Sequence, residues 1–126
     1  DTYITTCPGI GDVLGAVILS EIGDISRFAH PKNLVAFVGI DPSVTQSGEF
    51  NGTQNKMSKR GSPHLRRAVF LAANVAAFRD PVLSAYYQKK RAEGKHHFVA
   101  LGAVSRKLIC IIYAVLRDNK PYVPHY

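Results

Sequence analysis

Ser62-Pro63-His64-Leu65-Arg66-Arg67-Ala68-Val69-Phe70-Leu71-Ala72-Ala73 decides the fold class. Ser62 supplies the hydroxyl of a helix N-cap, and Pro63 stands at the first helical position, where no N–H donor is needed. The apolar residues that follow predict a buried helix running to about Arg79. Just upstream, Ser58-Lys59-Arg60-Gly61 extends the segment, so four basic side chains and two hydroxyls cluster around a Gly and a Pro. This reads as a cationic loop docked on a helix N-terminus. Basic side chains and helix-end N–H groups both attract phosphate, so the first candidate partner is a polyanion.

Working outward, punctuation residues mark further helices. Thr5-Thr6-Cys7-Pro8-Gly9-Ile10-Gly11-Asp12 reads as a turn. Val13, Leu14, Ala16, Val17, Ile18 and Leu19 then follow at helical spacing, and Gly23 stops them. Asp24 to Phe28 predicts a short helical turn. Pro31 opens a helix from Lys32 to Val38, closed by Gly39. On the far side, Asp80-Pro81 breaks the central helix and starts another, Val82 to about Ala92. After a Gly94-Lys95 hinge, His96 to Arg117 predicts a long helix. Its core stripe is Leu101, Val104, Leu108, Ile111, Ile112 and Val115. The segment from about 41 to 62 is polar and Gly-rich with no helical period, and reads as an extended loop or small β-hairpin. The expected fold is mainly α: a compact helical domain with one polar insertion.

A chain of 126 residues, 46% hydrophobic and 20% charged, fits one domain with a sizeable core. No apolar run reaches the roughly 20 residues that span a bilayer, so no membrane partner is expected. No signal peptide is visible and the first residue is not Met, which suggests a processed protein or a piece of a longer one. Cys7 and Cys110 lack a CxxC context and read as reduced thiols of a cytoplasmic protein, Cys110 in the core of the last helix. The net charge of +7 is unevenly spread. Residues 1–49 hold six acids against two bases, whereas residues 50–126 hold fourteen bases against three acids. That asymmetry suits a nucleic-acid face on the C-terminal part or, equally, a solvated basic surface.

Three sets of residues could carry chemistry. Pro8-Gly9-Ile10-Gly11 before a helix resembles the hairpin of a helix-hairpin-helix element at about 5–40. Glycines there let backbone N–H groups approach a DNA phosphate without reading sequence, and the small Gly15 and Ala16 suit close helix approach. A plain helix-entry turn is the competing reading, with Asp12 repelling phosphate. Ser47, Ser58 and Ser62 are serines in or beside the polar loop, and serine attacks a phosphodiester when cations stabilise the developing charge. Lys59, Arg60, Arg66 and Arg67 could supply those cations, yet most loop serines are caps or turn formers. Finally, the acids show no triad for a two-metal nuclease, and His96-His97 lacks zinc-site spacing.

The ordered set is what carries a resemblance. Cys7-Pro8-Gly9-Ile10-Gly11 is followed by Glu21-Ile22-Gly23-Asp24-Ile25-Ser26-Arg27-Phe28 and by Leu34-Val35-Ala36-Phe37-Val38-Gly39-Ile40-Asp41-Pro42. Gln46-Ser47-Gly48 comes next, and Met57 to Arg67 closes the set. Over about residues 3–90 the chain resembles the C-terminal domain of the insertion-sequence "one-ten" transposases, relatives of the Piv DNA invertase. The resemblance implies a partner domain, N-terminal and RuvC-like, carrying acidic ligands for Mg²⁺ and absent from this chain. No cofactor is expected in the present domain. It also implies a serine that links covalently to DNA, a guide RNA, a homo-oligomer (dimer or tetramer) and a bacterial or archaeal cytoplasm. By position the nucleophile falls on Ser47, with Ser58 in reserve. Lys56, Lys59, Arg60, Arg66 and Arg67 fall to phosphate, and Gly9 and Gly11 to the hairpin.

The expected function is therefore DNA strand cleavage and rejoining by a transposase or site-specific recombinase, with this piece inactive alone. A non-catalytic helix-hairpin-helix module that only holds nucleic acid is the alternative. A third reading is a protein-interaction domain with a basic face. The long helix from His96 is the candidate oligomer interface.

Overall fold

Proline and glycine set the helix boundaries of this protein. The computed structural model describes residues 2–40 and 62–124. Among them are five α-helices: α1 (Asp12–Ile22), α2 (Pro31–Val38), α3 (Pro63–Arg79), α4 (Pro81–Ala92) and α5 (His97–Asp118). Two 3₁₀ turns, Ile4–Thr6 and Ile25–Arg27, precede α1 and α2. Pro31, Pro63 and Pro81 each occupy a first-turn position, where the missing N–H costs nothing. Asp80 ends α3 and caps α4, its carboxylate accepting from the Leu83 N–H at 2.9 Å. The two helices turn through 93° there. Gly39 ends α2 in the left-handed region, and Asn119 does the same for α5.

α5 is the central helix. α2, α3 and α4 all pack on it, while α1 packs on α3. α3 presents Ala68, Ala72, Ala73, Ala76 and Ala77 to the interior, all buried. This face of small side chains lets neighbouring backbones come close. Larger residues fill the space between, chiefly Ile18, Leu34, Leu65, Leu83, Leu108, Ile109 and Ile112. Both chain ends are tied in. Ile4, Cys7 and Ile10 bury themselves in the same core, and the Tyr122 N–H donates to Thr6 Oγ1 at 2.9 Å. The Tyr113 hydroxyl, buried, donates to the Phe28 carbonyl at 2.9 Å, fixing the segment between α1 and α2 against α5.

The mainly α fold and the helix positions match the sequence reading; several details do not. Cys110 is exposed, because the apolar residues from Leu108 to Val115 wrap around α5 and Cys110 falls on the outer face. Ile111 is only half-buried, and Ile109 takes the interior position instead. Gly15 does sit where segments approach, its missing Cβ 3.2 Å from Ile4 Cγ2, but Ala16 is exposed. α5 is long and apolar enough to cross a membrane by length and composition, contrary to the expectation from apolar runs. Its apolar side chains are instead spent on α2, α3 and α4, as in the core helix of a globular domain. That placement also occupies most of the face considered for an oligomer interface. The polar insertion lies outside the described residues up to Gly61, so its reading as loop or hairpin is not addressed.

Candidate nucleic-acid interface

Ser62 begins the site. Its hydroxyl accepts from the Leu65 N–H at 3.3 Å, the N-cap bond expected of it. The same hydroxyl donates to Glu21 Oε1 at 2.7 Å. The C-terminal turn of α1 therefore meets the first turn of α3. A serine cap already satisfies that end, and a carboxylate already complements its positive pole. Ser62 is thus a cap joining two helices.

Arg66 and Arg67 follow one turn later, Arg66 half-buried and Arg67 exposed. Both line a groove of about 570 Å³ between α3 and the start of α5. Gly9 and Gly11 stand elsewhere. Gly9 has φ +77, and a Cβ added to it would lie 2.2 Å from the Ala72 carbonyl oxygen. Its glycine is required by the packing of the hairpin on α3. Gly11 is different: it caps α1 from an exposed position, with nothing within 4 Å of an added Cβ. The hairpin follows a 3₁₀ turn, Ile4–Thr6.

These contacts fix the relative placement of the two elements. Glu21 meets Ser62 at the start of α3, and Gly9 meets Ala72 further along it. α1 therefore runs antiparallel to α3. Gly11 and Glu21 lie at opposite ends of α1, about 15 Å apart at the helical rise of 1.5 Å per residue. The hairpin and the basic helix start do not converge on one phosphate. Ser47, Lys56, Ser58, Lys59 and Arg60 lie outside the described residues.

Glu21 is a residue that the sequence reading did not assign to this site. Its partner is 41 residues away, and no local pattern announces the pair. The neighbouring residues of the same stretch are also structural. Gly23 has φ +71. The Asp24 carboxylate accepts from the Ser26 N–H at 2.9 Å, which holds its carboxyl below the usual range. The Arg27 guanidinium lies 4.9 Å from the ring centres of both Phe28 and Phe37.

Cys7 is buried, and burial pushes its thiol up to about 12. Among the described residues no group of three or more His, Cys, Asp or Glu side chains comes together to hold a metal ion.

By fold and surface, this is a helical domain with two arginines lining a groove beside the start of its alanine-rich helix α3. The chain belongs to the Transposase IS116/IS110/IS902 family, which it matches over residues 1–88. It is 37% identical over 122 residues to an uncharacterised 42 kDa protein of insertion element IS900 from Mycobacterium paratuberculosis. It is 34% identical over 119 residues to a 43.6 kDa protein of IS110 from Streptomyces coelicolor, and 34% identical over 122 residues to the pilin gene-inverting protein of Moraxella bovis. These alignments cover 96%, 94% and 96% of the present chain, so the likeness extends beyond the span of the sequence motifs, through α5. The chain spans 30%, 29% and 38% of the length of these relatives.

Proposed function

We propose that this domain is the DNA-binding and serine-nucleophile part of a transposase or site-specific recombinase. The observation that supports this most is the family match over residues 1–88, which includes Ser47-Gly48 and the Lys-Arg-Gly motif in order. In this reading Ser47 Oγ attacks a backbone phosphorus. An Oγ–P bond forms, the P–O bond to one sugar breaks, and the freed sugar oxygen gains a proton. Rejoining reverses these bonds with the hydroxyl of another strand, so bond energy is conserved in the phosphoserine link. Lys56, Lys59 and Arg60 stabilise the phosphoryl charge, and Arg66 and Arg67 hold the backbone alongside. The remainder of the full-length protein, a guide RNA and further copies of the chain complete the recombining assembly in the cytoplasm.

Covalent trapping tests this. Full-length protein, with its guide RNA and element-end DNA, is compared as wild type, Ser47→Ala and Ser58→Ala. An adduct lost only in Ser47→Ala supports the assignment. Loss only in Ser58→Ala keeps serine chemistry and moves the nucleophile.

A second reading is a helix-hairpin-helix module that holds nucleic acid without cutting it. The exposed Gly11 at the start of α1 supports it, since backbone N–H groups there face solvent. Intact DNA binding with no adduct from any of the three proteins would favour that module.

A further inference from the structure

We infer that the groove between α3 and the start of α5 receives an unpaired stretch of DNA, with one base stacked on Phe98. The inference rests on the recombinase reading and adds to it a single-strand subsite away from the serines.

Phe98 is 58% exposed and lines this groove. Its position is built rather than loose. The Phe98 N–H donates to Nδ1 of His96, the N-cap of α5, at 3.1 Å. The His96 ring lies beside the phenyl ring, 5.7 Å between centres and within 20° of parallel. The His97 ring packs on the phenyl ring at a tilt, 5.2 Å between centres, and His97 Nδ1 is hydrogen-bonded to the Tyr87 hydroxyl at 2.6 Å. The outcome is an aromatic cluster fixed at a helix start, with more than half of the Phe98 surface exposed.

The lining suits a nucleotide. Arg66 and Arg67 stand on one side, Asn74 offers both a donor and an acceptor to a base edge, and no carboxylate is among the lining residues. Aromatic planes beside cationic side chains are the usual equipment for single strands, since every base has a π-face. The base faces inside a duplex are stacked on one another and closed to such a platform. The positive rim favours nucleic acid over an apolar protein surface, although α3 carries exposed Leu71, Val75 and Phe78 nearby. DNA is chosen over RNA because the relatives are proteins of insertion elements and of gene inversion.

The test uses full-length protein and fluorescence anisotropy with labelled oligo(dT), oligo(U) and a mixed-sequence duplex. Phe98→Ala is expected to weaken oligo(dT) binding about tenfold, the usual loss for one stacked base, and to leave duplex binding unchanged. Phe98→Tyr, which keeps a ring, should bind like wild type. Unchanged oligo(dT) binding by Phe98→Ala overturns the inference, and so does a changed oligomeric state in light scattering, which would assign the groove to protein contact. Tighter binding of oligo(U) than of oligo(dT) by wild type overturns the choice of DNA. Wild type that binds none of the three overturns both this inference and the recombinase reading. If Phe98→Ala unfolds, Asn74→Ala replaces it, with the same expected selectivity for the single strand.

Discussion

Ser62 donates its hydroxyl to the Glu21 carboxylate at 2.7 Å while accepting from the Leu65 N–H, so one side chain caps α3 and clamps it to α1. The two residues lie 41 positions apart, on either side of the polar insertion. The clamp fixes the start of α3 against the end of α1.

Removing the clamp should therefore cost more than a cap. Ser62→Ala is expected to lower stability by about 1–2 kcal/mol, the range for a lost N-cap with one further hydrogen bond. Glu21→Ala should cost less alone, because solvent partly reaches it. A double-mutant cycle in urea should show a coupling of about 0.5 kcal/mol or more. Strict additivity would mean that the bond contributes nothing to the fold.

The two hairpin glycines should separate cleanly. Gly9→Ala places a methyl 2.2 Å from the Ala72 carbonyl oxygen at a φ of +77. It should destabilise by about 2 kcal/mol or more, through both backbone strain and displacement of α3. Gly11→Ala meets nothing within 4 Å and should stay within about 1 kcal/mol of wild type. Thermal unfolding of the two variants checks this. Gly11 is consequently the informative position for a DNA-contact assay, since a Gly9 variant loses structure first.

Much of the fold was legible because its signals are local. Pro31, Pro63 and Pro81 start helices, Gly23 and Gly39 end them, and Ser62 and Asp80 cap them; each acts within about four residues. What escaped depends on distant partners or on helical phase. Gly9 is required by its close approach to Ala72, 63 positions away, which no local pattern announces. Cys110 sits in an apolar run and still faces out, since a run longer than one turn covers every face of a helix. The exposed Leu71, Val75 and Phe78 share one side of α3, a spacing visible in the sequence but indistinguishable there from a core stripe. Of the candidate site, Arg66, Arg67, Gly9 and Gly11 were placed apart rather than together, because only the α1–α3 packing sets that distance.

The buried thiol makes a pH prediction with a definite sign. Burial raises Cys7 from the usual 9.0 to about 12, so the folded protein keeps a proton that the unfolded chain releases. Between those values the native state binds more protons, and stability falls as pH rises. The contribution is fully present below about pH 9 and is lost toward pH 12, to the order of a few kcal/mol. Cys7→Ala should flatten the alkaline limb of the stability curve relative to wild type. At neutral pH, native protein should react with a thiol reagent at Cys110 alone, and both cysteines should react in denaturant. An equal rate at Cys7 in the native state would contradict its burial.

The Tyr113 hydroxyl is the donor to the buried Phe28 carbonyl. Tyr113→Phe removes the donor, keeps the ring and leaves that carbonyl unpaired. A loss of about 1–3 kcal/mol is expected from the unpaired carbonyl. The consequence should be local, since Phe28 anchors the segment between α1 and α2. Hydrogen exchange should then quicken at Arg27 and Phe28 more than along α4. Uniform acceleration across the domain would instead place Tyr113 in the global core.

Salt dependence separates the phosphate residues from the rest. Each lysine or arginine that neutralises a duplex phosphate contributes about 0.9 to the slope of log K against log salt. Lys59→Ala with Arg60→Ala, made in the full-length protein, should therefore flatten the slope by roughly 2 and weaken binding most at low salt. Arg67→Ala alone should flatten it by about 1. Glu21→Gln should do the reverse of a lost cation. It removes a negative charge beside the start of α3 and leaves an acceptor for Ser62, so binding should tighten modestly with the fold intact. An unchanged slope in the Lys59, Arg60 pair would remove these residues from the backbone contact, and a flattened slope in Arg67→Ala alone would move that contact onto the groove beside Phe98.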